Sequence, residues 1–138
     1  MTAKQYLRQA YRLNELINSD IQELEQLKAL SRSISSPNLS GMPSGSRKQE
    51  APFVNAVIKI VDLEKVIDAE IDRFVDLKKE IRDKLFQIKD KNERLILQNR
   101  YLLFQTWEQI AEELNFTPQW VQEIHKRALK NFSKQFNL

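Results

Sequence analysis

The sequence predicts an all-α protein, in which a long, coiled-coil-like antiparallel helical hairpin precedes a helix-turn-helix. Three observations support this fold class. Apolar residues recur every three or four positions through two long segments. The chain has no cysteine and only two glycines, so disulfides are excluded and few turns are expected. Its last third contains shorter helical patterns separated by breaks. We therefore expect two domains, the hairpin at 1–89 and the helix-turn-helix at 90–138.

The first segment, residues 3–32, has the spacing of an amphipathic helix. Its apolar stripe follows steps of three and four and comprises Ala10, Leu13, Ile17, Ile21, Leu24 and Leu27. A helix of this length, on the order of 45 Å, needs a partner to cover its single apolar stripe.

Residues 33–52 interrupt the helical pattern. They hold three of the four prolines and both glycines, which are residue types that end helices and strands. We therefore expect a loop. A flexible connection is the simpler interpretation; the alternative is a loop that orders on a partner or on DNA through Arg47 and Lys48.

Residues 53–89 show the most regular pattern in the chain. Their apolar seam has a mean step near 3.5, as in a coiled coil, and comprises Val57, Ile60, Leu63, Ile67, Ile71, Phe74, Leu77, Ile81, Leu85 and Ile88. The order of steps matches the first segment, which predicts antiparallel pairing of the two. Further apolar residues lie outside the seam, at Val54, Ile58, Val61, Val66 and Val75. We expect this wider stripe to form a homo-oligomer, with a dimer favoured, or to pack on the C-terminal unit.

Composition argues against several classes of function. With no cysteine and one histidine, a Cys/His metal site is excluded, and the confinement of glycine to one loop excludes a Gly-rich phosphate loop. Carboxylate pairs such as Asp68 and Asp72 have basic neighbours at helical spacing, which favours salt bridges over catalysis. We expect no catalytic residue, metal, cofactor or small-molecule substrate. No apolar run suits a membrane span or a signal peptide, so we expect a cytoplasmic protein.

Residues 106–132 have the pattern of two short helices joined by a tight turn. Thr117 is suited to cap the second helix and Pro118 to begin it. The first helix carries Trp107, Ile110, Ala111 and Leu114 on one face, and the second carries Val121, Ile124, Ala128 and Phe132. A preceding helix, from Glu93 to about Leu103 with its N-cap at 90–92, contributes Leu95, Ile96, Asn99, Tyr101 and Leu102 to the same core. In such a unit the second helix can enter the DNA major groove.

The motifs of this C-terminal part resemble region four of bacterial sigma factors. They are Arg100-Tyr101, Glu108-Gln109-Ile110-Ala111, Thr117-Pro118, Val121 with Ile124, and Ala128-Leu129 before Phe132. The whole chain is similar to small phage-encoded proteins with this sigma-like end, which are related to the RinA/ArpU-type regulators of late phage genes. The resemblance implies DNA-binding transcriptional control in a bacterial host, with double-stranded DNA as partner and host RNA polymerase as a second candidate. The sigma regions that bind core polymerase and melt promoters have no counterpart here, so we expect no promoter melting.

The resemblance places base-reading residues near the start of the recognition helix, 118–132, at Gln119, Gln122, Glu123 and Lys126. These side chains suit the task, because glutamine can pair with adenine, glutamate with cytosine and lysine with guanine or phosphate. Candidate contacts to the DNA backbone are Thr106, Trp107, Thr117, His125, Arg127, Lys130 and Lys134. The simpler interpretation of these polar residues is a solvated helix face.

Trp120 can either touch a thymine methyl or plug the gap to the preceding helix, and we favour packing.

Three functions remain open. The first is a sequence-specific DNA-binding regulator assembled by the hairpin. The second is a structural or DNA-recognition component of phage packaging, like a small terminase subunit. The third is a protein-interaction module whose helix-turn-helix is only a scaffold.

Overall fold

A computed structural model describes residues 1–35 and 46–138. Within these ranges the protein is all-α, which confirms the predicted fold class, and the described residues contain no strand. The helices are α1 (Ala3–Ser35), α2 (Ser46–Leu85), α3 (Lys91–Tyr101), α4 (Trp107–Leu114) and α5 (Pro118–Phe136). None of the described helices is both long enough and apolar enough to cross a membrane.

The predicted loop at 33–52 is wrong at both ends, and residues 36–45 lie outside the described residues. α1 continues to Ser35 and α2 already begins at Ser46, so that Pro52 lies inside a helix. A proline removes one backbone hydrogen bond, but residues 47–51 (RKQEA) are good helix formers and carry the helix across it. The suggested role of Arg47 and Lys48 concerns side chains outside the described residues.

Packing divides the chain into two compact units, residues 1–14 with 73–138 and residues 15–72. This division differs from the predicted boundary at residue 89, because the start of α1 and the end of α2 belong to the same unit as α3, α4 and α5. The described residues at 3–10, including the buried Tyr6 and Leu7, share an apolar cluster with Ile81, Leu85 and Phe132. Long-range packing of this kind has no signature in helical periodicity.

In the unit of residues 15–72, the α1 and α2 segments are antiparallel, as predicted. Lys28 Nζ lies 3.9 Å from Glu64 Oε1, and Asp20 lies beside Glu70, so the partners follow in opposite order. Much of the apolar surface is exposed, at Leu16, Leu30, Phe53, Val54, Val57, Ile58, Val61, Val66 and Ile71. Val57 and Ile71 belong to the predicted seam and are 38 % and 39 % exposed, so the pairing of α1 with α2 covers them only in part.

The unit that contains α3, α4 and α5 has a second apolar cluster, formed by Ile96, Ile110, Ala111, Val121 and Ile124. Trp107 and Leu114 of α4 pack against this cluster, and Ala128 and Phe132 of α5 are buried in the first one, so the predicted inner faces of both helices are confirmed. The prediction for α3 needs one correction, because Leu95 is exposed and Leu97 is fully buried. Ile96 faces this second cluster while Leu97 joins the first one, so α3 is buried on two sides rather than one.

Candidate nucleic-acid interface

Local hydrogen bonds fix the turn between α4 and α5. Thr106 and Gln109 form a capping box, in which Thr106 Oγ1 accepts from Gln109 N at 3.2 Å and Gln109 Oε1 accepts from Thr106 N at 2.9 Å. α4 ends at Asn115, whose φ of 57° is left-handed; asparagine tolerates this region better than most residues. Thr117 Oγ1 then accepts from Trp120 N at 3.2 Å and Pro118 begins α5. The predicted cap and N-terminal proline are confirmed.

The buried side of α5 determines which side chains remain available to a partner. Val121, Ile124, Ala128 and Phe132 are buried. A continuous exposed row runs along the other side of the helix, which we call the α5 stripe: Gln119, Gln122, Glu123, Lys126, Lys130 and Lys134. All four predicted base-reading residues lie on it, together with two of the predicted backbone contacts.

The α5 stripe carries three lysines and one acid. Lys126 Nζ lies 3.6 Å from Glu123 Oε1, and the two side chains are 74 % and 61 % exposed. An ion pair so exposed contributes little, roughly 0–1 kcal/mol, so a partner can separate the two groups easily. Glu123 can then accept a hydrogen bond while Lys126 binds a phosphate or a guanine.

His125 is a core residue, and the prediction that it contacts the DNA backbone is wrong. Its side chain is buried, its Nε2 lies 2.7 Å from Tyr101 Oη, and its ring packs edge-on against Trp107 with 4.6 Å between centroids. Burial, with the positive charges of Lys4 and Arg100, lowers its pKa to about 4, so the ring is neutral at pH 7. The signal was present in the sequence, since position 125 follows the buried position 121 by four residues.

The two tryptophans have different environments. Trp107 is half-buried, and the guanidinium carbon of Arg100 lies 4.3 Å from its ring centroid. Arg100 is itself held by a hydrogen bond from Nη1 to Gln105 O at 2.9 Å. Trp120 is 45 % exposed, so the prediction that it fills the gap to the preceding helix is wrong. Its ring lies 5.8 Å from the guanidinium carbon of Arg127 and adds an apolar surface beside the α5 stripe.

The remaining candidate backbone contacts lie at the surface. Thr106, Thr117 and Arg127 are exposed. Sequence reasoning missed two further cations, Lys4 and Arg8 on α1, which lie with Thr106 around one cavity at the start of α4. Their spacing of four residues places them on one helix face, but nothing local to α1 indicates what that face meets.

Comparison of the chain with protein-family models, with curated proteins and with solved structures finds no match.

Proposed function

We propose that this protein is a DNA-binding transcriptional regulator of phage origin, acting in the cytoplasm of a bacterial host, with α5 as its recognition helix. The observation that supports the proposal most directly is the α5 stripe. It combines hydrogen-bonding side chains at the start of the helix with lysines along its length. This is the division between base reading and phosphate binding that a major-groove helix requires.

In the proposed complex, Gln119, Gln122 and Glu123 approach base edges, where glutamine pairs with adenine and glutamate accepts from cytosine N4. Lys126 lies one turn further and reaches a guanine or a phosphate. Lys130 and Lys134 continue along the same side toward the DNA backbone, where each neutralised phosphate releases counterions.

Backbone contacts at the two helix starts complete the proposed interface. The hydroxyls of Thr106 and Thr117 accept from backbone N–H groups of their own helices, and each retains an O–H that can be donated to a phosphate oxygen. The Trp107 indole N–H is a further candidate donor. These groups carry no sequence information and would fix the register of α5 on the duplex.

The exposed apolar surface of residues 15–72 supports self-association in this proposal. Val54, Val57, Ile58 and Val61 are related by steps of three and four on α2, so these exposed side chains are neighbours on the helix surface. Contiguous apolar patches on a small protein mark interaction sites. A dimer would present two α5 helices to two half-sites on DNA. Host RNA polymerase is a further candidate partner, on the strength of the resemblance to sigma region four.

The test is the salt dependence of duplex binding. The double variant Lys126→Ala and Lys130→Ala is expected to bind all duplexes more weakly and to flatten the slope of log K against log salt by about 2, roughly 1 per lysine. The matched control, Lys65→Ala with Lys79→Ala, removes the same charge from exposed positions on α2 and should leave the slope unchanged. Equal behaviour of the two double variants would contradict the proposal, and a complete lack of duplex binding would favour the protein-interaction module.

A structural role in DNA packaging is the second candidate. The observation that favours it is again the apolar surface of residues 15–72, because a ring of many subunits needs an extended interface on every copy. The solution mass of the full chain separates the two, since a dimer supports the regulator and a ring supports packaging.

A further inference from the structure

A cavity of about 350 Å³ lies at the start of α4. It lies within the unit of residues 1–14 and 73–138, where the first turns of α1 meet the end of α3 and the beginning of α4. Its volume falls in the range of small-molecule sites, roughly 300–1,000 Å³. The cavity shares Thr106 and Trp107 with the proposed DNA interface, but none of the α5 stripe lines it.

Three cations line this cavity: Lys4, Arg8 and Arg100. No carboxylate is among the lining residues that the structure describes, so their charge is not balanced within the cavity. Arg100 is held in place by its bond to Gln105 O at 2.9 Å and by stacking on Trp107, whereas Lys4 and Arg8 are exposed and can move onto a ligand. A phosphate is the anion that such a group of one fixed guanidinium and two mobile cations suits best.

The other lining side chains are aromatic or carry a hydroxyl. Tyr11 and Phe104 pack edge to face with 5.5 Å between centroids, and the Trp107 ring lies beneath Arg100. Phe104 holds a left-handed backbone, with φ of 58°, which is uncommon for a bulky residue. This conformation places its ring in the cavity wall, and a wall of rings suits a planar heterocycle.

We infer that this cavity binds a free nucleoside phosphate, with the phosphate against Lys4, Arg8 and Arg100 and the base against the aromatic wall. A backbone phosphate of duplex DNA would use only the cations, because the bases of a duplex are already stacked and cannot reach the rings. Trp107 also packs on His125 of α5. A bound nucleotide therefore contacts the residue that braces the recognition helix, which is where an effector of DNA binding would act. The site itself does not depend on the proposed function.

The test is calorimetric titration of the full chain, without DNA, with the four common nucleoside 5′-monophosphates. At least one is expected to bind at a single saturable site. Inorganic phosphate alone and the nucleoside alone are each expected to bind more weakly by at least about tenfold, because each makes only half of the contacts. Arg8→Ala and Lys4→Ala should each weaken binding by about tenfold, whereas the control Lys91→Ala, at an exposed position outside the cavity, should not.

Two spectroscopic signals localise the ligand. In a Trp120→Phe background Trp107 is the only tryptophan, and a nucleotide stacked nearby should change its fluorescence. A bound phosphate should also raise the pKa of His125, the single histidine, by offsetting the charge of Lys4 and Arg100.

Three results would overturn the inference. One is the lack of saturable binding for all four nucleotides at millimolar concentration. Another is binding that Arg8→Ala and Lys4→Ala leave unchanged. The third is weaker duplex binding by these variants when no mononucleotide binds, which would make the cations a DNA backbone contact. The double variant Lys126→Ala with Lys130→Ala tests the proposed function separately. It should weaken duplex binding and leave nucleotide binding unchanged.

Discussion

Protonation of His125 is expected to destabilise the contact between α5 and the start of α4. His125 is 6 % exposed, and its ring packs against those of Tyr101 and Trp107. Burial and the nearby charges of Lys4 and Arg100 oppose a positive charge on the ring and lower its pKa to about 4. Acid is therefore expected to destabilise the fold through this buried residue.

The magnitude follows from the two pKa values. In the unfolded chain the ring titrates near its ordinary pKa of 6.5, so between pH 6.5 and about 4 the unfolded state binds more protons than the folded state. The contribution to stability is complete above pH 6.5 and is lost as the pH falls toward 4. At about 1.4 kcal/mol per pH unit, the gap corresponds to a loss of about 3 kcal/mol. That is a large fraction of the ~5–15 kcal/mol that stabilises a typical domain.

Urea unfolding at pH 7 and at pH 4.5 measures this loss. Because carboxylates also titrate in this range, the comparison is with His125→Gln, which keeps the hydrogen-bonding capacity and removes the titration. The native protein should lose about 2 kcal/mol more than the variant over this interval. An NMR titration of the single histidine gives its pKa directly. A value near 6.5, or the same pH dependence in both proteins, would refute the assignment of His125 to the core.

Further predictions concern the stability of the two units. In residues 15–72, both Glu70 carboxylate oxygens are buried without a hydrogen-bond partner; a proton shared with Asp20 supplies one and raises the pKa of Glu70 to about 7. This contribution to stability is complete below pH 4.5 and is lost as the pH rises through 7. Glu70→Gln should therefore raise the free energy of unfolding at pH 8 by about 1 kcal/mol, a figure reduced for solvent screening, and with it the melting temperature; at pH 4.5 it should raise neither. Asn115→Ala should cost about 1 kcal/mol in urea unfolding because of its left-handed φ, whereas Asn115→Gly should not. Thr106→Ala should lose about 1 kcal/mol through its cap, and Thr106→Ser should retain it; equal melting of the paired variants would contradict either assignment.

The sequence was most informative where the deciding contacts are local. The cap at Thr117 and the proline after it concern groups within three residues of each other, and the buried faces of α4 and α5 repeat at helical spacing. Asp90 likewise caps α3 by accepting from the backbone N–H groups of Asn92 and Glu93. Such interactions depend on residue type and short spacing, so a single sequence carries them.

The failures have a different physical origin. The burial of Leu97 and the placing of Lys4 beside Arg100 depend on segments far apart in the chain, which periodicity cannot pair. The partial exposure of Val57 and Ile71 shows that a regular seam need not be fully covered along its whole length. The prediction for His125 is wrong because its polar character and the basic run after it suggest the surface, whereas its helical phase, four residues after the buried Val121, places it in the core.

Selection of bound fragments from a pool of random-sequence duplexes, at stated salt, tests most directly whether α5 reads DNA. The native chain is expected to enrich one common sequence, and Gln122→Ala is expected to change the enriched base at one position or abolish the preference there. Enrichment of no sequence by the native chain, or the same sequence enriched unchanged by Gln122→Ala together with Gln119→Ala, would contradict the assignment of α5 as the recognition helix.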